Sequence, residues 1–339
     1  MRGPPASRYV PAMLRLHPYS YHRPTSVADA IELLAEHGAD ALPIAGGTDL
    51  VPNMKHGLFT PGHLVALSGV AEMRGIRVGD DEIRIGACES LDSVATDEGL
   101  LESIPALAQA AALVSGPQLR RTGTLGGNVC LDTRCTYYNQ TRFWRKALGY
   151  CLKKDGDDCH VVRGGTRCVA AHSADTPPVL MVLDAELDIE GPSGSRRVPI
   201  NEFFTSDGVW NRVLEPGELL VAIRIPRPSS TTRVAFRKLR ARNAIDFPLA
   251  NLAVSVTLTD ERVSSLKMVA SGMGSYPRKL GKVEDAALGN RLDPAVIDAV
   301  AQQAFRQCRP LENITVDREW RRAMIPVLVR RALGEIAAA

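Results

Sequence analysis

Ala45-Gly46-Gly47-Thr48-Asp49-Leu50 and Thr122-Gly123-Thr124-Leu125-Gly126-Gly127-Asn128 share one design, a glycine pair that closes a short strand or turn and is followed by a small polar residue. Glycine admits positive φ and removes the Cβ that would hold a ligand away from the backbone. Consecutive N–H groups can then converge on an anionic group such as a pyrophosphate, with Thr, Asp or Asn side chains fixing the loop. Neither loop is the Gly-x-Gly-x-x-Gly of a nicotinamide-binding unit, and neither ends in the Gly-Lys-Ser/Thr of a triphosphate-binding loop. Either loop alone reads as a tight turn. Two of them leave turn and ligand cradle as equal readings.

Working outward, residues 41–45 form a short strand that feeds the first loop, and 63–67 and 83–87 read as further strands. A helix is predicted over 27–37, with Ser26 as N-cap and Gly38 as its stop. Another is predicted from Ser103, as N-cap, to Leu113. Regular structure resumes over 179–190, and 218–226 is a strand that ends in a linker at 226–230. Beyond it, 233–239 and 250–259 read as strands of a meander-like sheet, followed by helices over 293–307 and 318–338. The pattern is α+β in two parts, divided near residue 228.

Composition excludes several classes. The chain has 339 residues, 45% hydrophobic and 23% charged, enough for sizeable cores without disulfides. Net charge is +3 from 41 basic and 38 acidic residues, so no cationic field points to nucleic acid. Apolar runs such as 178–183 are far too short to span a bilayer. Residues 1–13 lack the apolar core of a secretory signal and read as an extension; a cytoplasmic location is expected.

Cysteine is the unusual term. Five of the seven cysteines, Cys130, Cys135, Cys151, Cys159 and Cys168, fall within one short segment. An odd count without an export signal argues against a disulfide framework and for metal. No Cys-x-x-Cys pair is present, which disfavours a zinc ribbon and a ferredoxin-type run. Four thiolates from a long loop can still complete the tetrahedral set of a four-iron cluster. Arg134, Arg142, Arg145, Lys146, Lys153, Lys154, Arg163 and Arg167 would suit such an anionic group, or would form a solvated face. Tyr137, Tyr138, Phe143, Trp144 and Tyr150 suggest an apolar shell or a subunit contact. Free structural cysteines are the remaining reading.

With these residues in view, the two glycine loops resemble the FAD-pyrophosphate loops of the flavoprotein subunits of the molybdenum hydroxylases, the xanthine dehydrogenase and CO dehydrogenase family. Ser173-Ala174-Asp175 resembles the family segment that follows the second loop. The resemblance runs from about Leu14 to the C-terminal helices. It implies a PCMH-type FAD-binding domain over 14–228 and a smaller α/β C-terminal domain, like that of CO dehydrogenase flavoproteins, over 229–339. The FAD-binding residues it implies are Leu42, Pro43, Ile44, Ala45, Gly46, Gly47, Thr48 and Asp49 from the first loop, and Thr124, Leu125, Gly126, Gly127 and Asn128 from the second. Val114, Asp175, Leu219 and Lys238 complete the set, with Asp175 towards the adenosine ribose and Lys238 close to the isoalloxazine.

Residues 131–170 are an insertion relative to ordinary members. Cys130-Leu-Asp-Thr-Arg-Cys135-Thr-Tyr-Tyr-Asn-Gln and Gly149-Tyr-Cys151-Leu-Lys are similar to the insertion of the 4-hydroxybenzoyl-CoA reductases of this family, which binds an extra 4Fe-4S cluster. That resemblance implies Cys135, Cys151, Cys159 and Cys168 as ligands, with Cys130 a spare near the flavin loop. It further implies an electron-transfer subunit with no catalytic residue of its own, relaying electrons from ferredoxin through 4Fe-4S and FAD. The implied partners are a 2Fe-2S subunit and a molybdopterin subunit that reduces 4-hydroxybenzoyl-CoA to benzoyl-CoA, as a dimer of heterotrimers. The same subunit would equally serve a molybdenum enzyme acting on another aromatic or heterocyclic substrate. A zinc-stapled scaffold and a free-standing flavin oxidase are the readings from other classes. Ala270-Ser-Gly-Met-Gly departs from the family's Ala-x-Gly-Gly.

Overall fold

The computed structural model describes residues 14–338; the expected extension at 1–13 lies outside them. Three sheets organise the described residues. The first is parallel, with β1 (Ser20–His22) and β2 (Ala41–Ile44) on either side of β3 (His63–Ala66). Between β1 and β2 runs the helix Val27–His37, whose N-cap Ser26 accepts from the Asp29 N–H and whose buried stripe is Val27, Ala30 and Leu34.

The second sheet is antiparallel. It contains β4 (Ile76–Val78), β5 (Glu82–Gly86), β6 (Glu186–Gly191), β7 (Gly194–Pro199) and β8 (Leu219–Pro226), in the order β4-β5-β8-β6-β7. β8 sits at its centre, and six of its first seven residues are apolar and buried on both faces, as a central strand must be. It pairs Ile83 with Ile225 and Leu187 with Ile223 across long stretches of chain. The third sheet is a meander of β9 (Thr232–Leu239), β10 (Ala250–Thr259), β11 (Arg262–Ser271) and β12 (Arg278–Lys279), in the order β12-β11-β10-β9. The helices Pro294–Gln307 and Arg318–Ala338 share its core through residues such as Val300, Ile325 and Leu333, packed with Leu252, Val254 and Leu266. This is the expected α+β architecture.

Two elements differ from the sequence expectation. The helix expected from an N-cap at Ser103 is found as Pro105–Ala112 with Ile104 at its N-cap; Ser103 instead closes a preceding helix, Glu98–Ser103, which stops there because Pro105 has no N–H to continue it and starts the next. The second glycine stretch is a short helix, Leu125–Val129, with the Thr124 side chain accepting from the Gly127 N–H. The C-terminal helix is locked to the meander by Arg321. Its buried guanidinium donates to the carbonyls of Leu249 and Leu311, each at 2.9 Å, and to that of Gly272.

Candidate functional site

The first glycine loop leaves β2 at the mouth of a cavity of about 1100 Å³, at the top of the range for organic ligands. Gly46 is needed because a Cβ there would lie 2.0 Å from the Thr122 carbonyl oxygen, so the two glycine loops interlock. Gly47 takes φ +68°, which reverses the chain into the helix Leu50–Lys55. The N–H groups of residues 46–49 meet no protein acceptor among the described residues, although Val51 N–H bonds back to the Gly47 carbonyl. Four consecutive free donors lining a cavity form a concave cradle for an anion such as a pyrophosphate. The second loop contributes differently. Its N–H groups are satisfied by Glu89, Ala87 and Thr124, and it serves as wall rather than cradle.

Most of the expected FAD residues line this one cavity: residues 42–49, Val114, Thr124, Gly126, Gly127, Asn128, Asp175 and Leu219. Leu125 and Lys238 are outside its lining. Leu125 is buried in the hydrophobic core, because the second loop is helical and turns that side chain inward. Lys238 lies behind Asp175, its Nζ 2.6 Å from one carboxylate oxygen and 2.9 Å from the Leu113 carbonyl. Asn251 donates to the other oxygen at 2.9 Å. Burial pushes the Asp175 carboxyl up and the Lys238 ammonium down, and each opposes the shift of the other. Asn128 fixes the neighbouring segment by accepting from Thr176 N–H and Oγ1 at 3.1 and 2.7 Å.

Several lining residues are not among those the sequence points to for this cavity. Arg134 reaches Asp49 at 2.9 Å and lies over the Phe247 ring at 4.1 Å, bringing one cation to the cavity beside the first loop. Burial pushes the Asp49 carboxyl up to about 6 despite Arg134. Trp210, Arg212, Ile245 and Phe247 come from loops without regular structure that only tertiary folding brings here.

A second, smaller cavity adjoins the first. Cys135, Cys151, Cys159 and Cys168 all line it, together with Tyr137, Leu152 and His160. All four are free thiols. Val162 N–H and Ala170 N–H point at the sulfurs of Cys159 and Cys168, each at 3.4 Å, the backbone donation that suits metal-bound thiolates. Burial pushes the Cys135 and Cys168 thiols up, Cys168 to about 11, so a cation is needed to hold them as thiolates. Cys130 stands apart and lines the large cavity, its N–H bonded to Gly126.

The basic residues of this segment divide by role. Arg145 is 1% exposed at its side chain and ties the segment to the Gly57 carbonyl at 3.0 Å. Lys153 bonds Asp132 and the Gly208 carbonyl, both at 2.7 Å, and sits 4.4 Å from the Tyr138 ring centroid. Tyr138 and Lys153 line both cavities and thus form the wall between them. Arg142, Lys146, Arg163 and Arg167 are exposed, as is Phe143 at 85%.

Residues 17–228 match the family described as the FAD binding domain in molybdopterin dehydrogenase, and 234–336 match the CO dehydrogenase flavoprotein C-terminal domain. The chain is 29% identical to the carbon monoxide dehydrogenase medium chain of Afipia carboxidovorans over 93% of its own length and 95% of the relative's. It is also 29% identical to the xanthine dehydrogenase FAD-binding subunit of Escherichia coli O157:H7, over 94% and 96%. Its fold superposes on a chain of carbon monoxide dehydrogenase from Hydrogenophaga pseudoflava with a TM-score of 0.78, at 28% identity and covering 94% and 97%. No helix among the described residues is long and apolar enough to cross a membrane. A cradle of free N–H groups between two interlocked glycine loops, on a fold matched over nearly its whole length, leads to one conclusion: the chain belongs to the FAD-binding subunits of the molybdenum hydroxylase family of oxidoreductases.

Proposed function

We propose that this chain is the FAD- and 4Fe-4S-carrying electron-transfer subunit of a ferredoxin-linked reductase of the 4-hydroxybenzoyl-CoA type, working with a molybdopterin subunit and a 2Fe-2S subunit. One observation carries the reading beyond the family: the four cysteines of the 131–170 insertion line one cavity that shares its wall with the large one. FAD supplies the exchange between single-electron and two-electron carriers, and a four-iron cluster supplies single electrons at low potential. The chain's own residues do the rest. Residues 46–49 hold the pyrophosphate through backbone N–H groups, and Arg134 adds a cation beside them. Asp175, held by Lys238 and Asn251, presents a fixed carboxylate to the adenosine or ribityl hydroxyls. Cys135, Cys151, Cys159 and Cys168 hold the cluster, and Tyr138 with Lys153 keeps water out of the space between the two groups.

The test is an anaerobic assay of the assembled complex with reduced ferredoxin and 4-hydroxybenzoyl-CoA, in the parent and in Cys151→Ser. Benzoyl-CoA formation that is lost in the variant together with iron, while FAD is retained, supports the reading. Turnover that persists without that iron overturns the cluster's role. Absence of any dehydroxylation in the intact complex overturns the substrate assignment.

A further inference from the structure

We propose that His22, His37 and His63 form a binding site for a divalent transition-metal ion of the zinc class, separate from both cavities. The three residues come from three elements of one frame: β1, the last position of the helix Val27–His37, and the first position of β3. One ligand atom from each lies within 4.8 Å of the other two. His22 Nε2 is 2.9 Å from His63 Nδ1. The His37 and His63 rings stack with centroids 3.6 Å apart, and the His22 ring lies 5.1 and 5.2 Å from them.

A neutral imidazole has one ring nitrogen with a lone pair for a metal, and here three rings bring such nitrogens together. Imidazole is the donor that zinc, cobalt and nickel share, and three such donors plus a water complete a tetrahedral site. All three rings are half-buried, which leaves a path for a hydrated ion. Local charge favours a cation as well. His37 closes an eleven-residue helix whose C-terminal carbonyls face this end. Asp40 accepts from the Gly62 N–H at 2.8 Å, placing a carboxylate next to His63.

The frame is rigid where it matters. His63 opens the central strand and is registered against Ser20 on one side and Ala41 on the other. A bound ion would cross-link the first strand and the first helix to that strand. The same helix sends Leu34 and Ala35 into the wall of the large cavity, so the clip would steady one end of it.

Cobalt(II) is the probe, titrated into the assembled complex after treatment with a chelator and followed by visible absorption. The expected result is one ion per chain, with the ligand-field bands of a tetrahedral site and no thiolate-to-cobalt charge transfer, displaced by Zn²⁺. His37→Gln and His63→Gln should each weaken binding by more than the roughly 10–100-fold that loss of a supporting hydrogen-bonded group costs a metal site. Far-ultraviolet circular dichroism checks that each variant folds. Zn²⁺ should raise the melting temperature of the parent and leave that of either variant unmoved. No new visible bands on adding cobalt to the parent, new bands with thiolate character, or new bands that survive in both variants would overturn the proposal.

Discussion

Lys153→Met removes the cation that, with Tyr138, forms the wall between the two cavities. In the parent, Nζ bonds Asp132 and the Gly208 carbonyl at 2.7 Å each and the Thr133 carbonyl at 3.1 Å, and it also bonds the Thr133 hydroxyl. The side chain is 5% exposed and that of Asp132 is 19% exposed, so neither partner recovers full hydration when the other is lost. Breaking a buried pair by removing one member costs about 3–5 kcal/mol, and the partial exposure of Asp132 places this case near about 3 kcal/mol. For a cooperative unit of this size that is a fall in Tm of roughly 6–12 °C. The assay is thermal unfolding followed by circular dichroism, with a guanidinium titration as a second measure. Adding Asp132→Asn should restore at least about 1 kcal/mol, because it removes the stranded charge. A loss below about 1 kcal/mol in the single variant, or no recovery in the double, would refute the argument that Lys153 is a buried staple.

Other expectations follow from single contacts. Arg321→Met strands the buried carbonyls of Leu249, Leu311 and Gly272 and should cost about 2–4 kcal/mol, read as earlier melting of the C-terminal unit. Gly46→Ala puts a methyl group 2.0 Å from the Thr122 oxygen and forces the two loops apart; flavin retained at the parental level after gel filtration would count against the interlocked cradle. Asp49 has its carboxyl raised from 3.8 to about 6, so the folded chain holds that proton more tightly than the unfolded chain. The stability it contributes is full below 3.8 and is lost as pH rises through about 6. In the flavin-free chain, Asp49→Asn should therefore gain on the parent across that window and hold its advantage above it; a gap that stays constant with pH would contradict this.

Much of the scaffold is legible in sequence because its signals are local. Ser26 and Gly38 mark both ends of one helix, and the apolar run 219–223 announces the strand that turns out to be central. The cysteine insertion stands out by composition alone, and the structure gathers its four expected ligands around one cavity. What stayed hidden is tertiary. Nothing local pairs Ile83 with Ile225, and nothing local marks Lys153 and Arg145 as buried while Arg142 and Lys146 stay in water. The cavity wall from Trp210 and Phe247 is loop, positioned by what surrounds it rather than by its own pattern. β9 presents Lys238 to Asp175, a pairing that no local pattern marks.

If one chain holds a flavin and an iron–sulfur cluster side by side, the assembled complex carries both in a fixed stoichiometry. The complex, purified without oxygen, is analysed for FAD, iron, acid-labile sulfide and zinc, alongside its ultraviolet–visible spectrum and that of a Cys135→Ser/Cys151→Ser double variant. The expected result is one FAD per chain, and about four iron and four sulfide that disappear in the variant while the flavin bands remain. Zinc in place of iron, or iron unchanged by the double substitution, would contradict it.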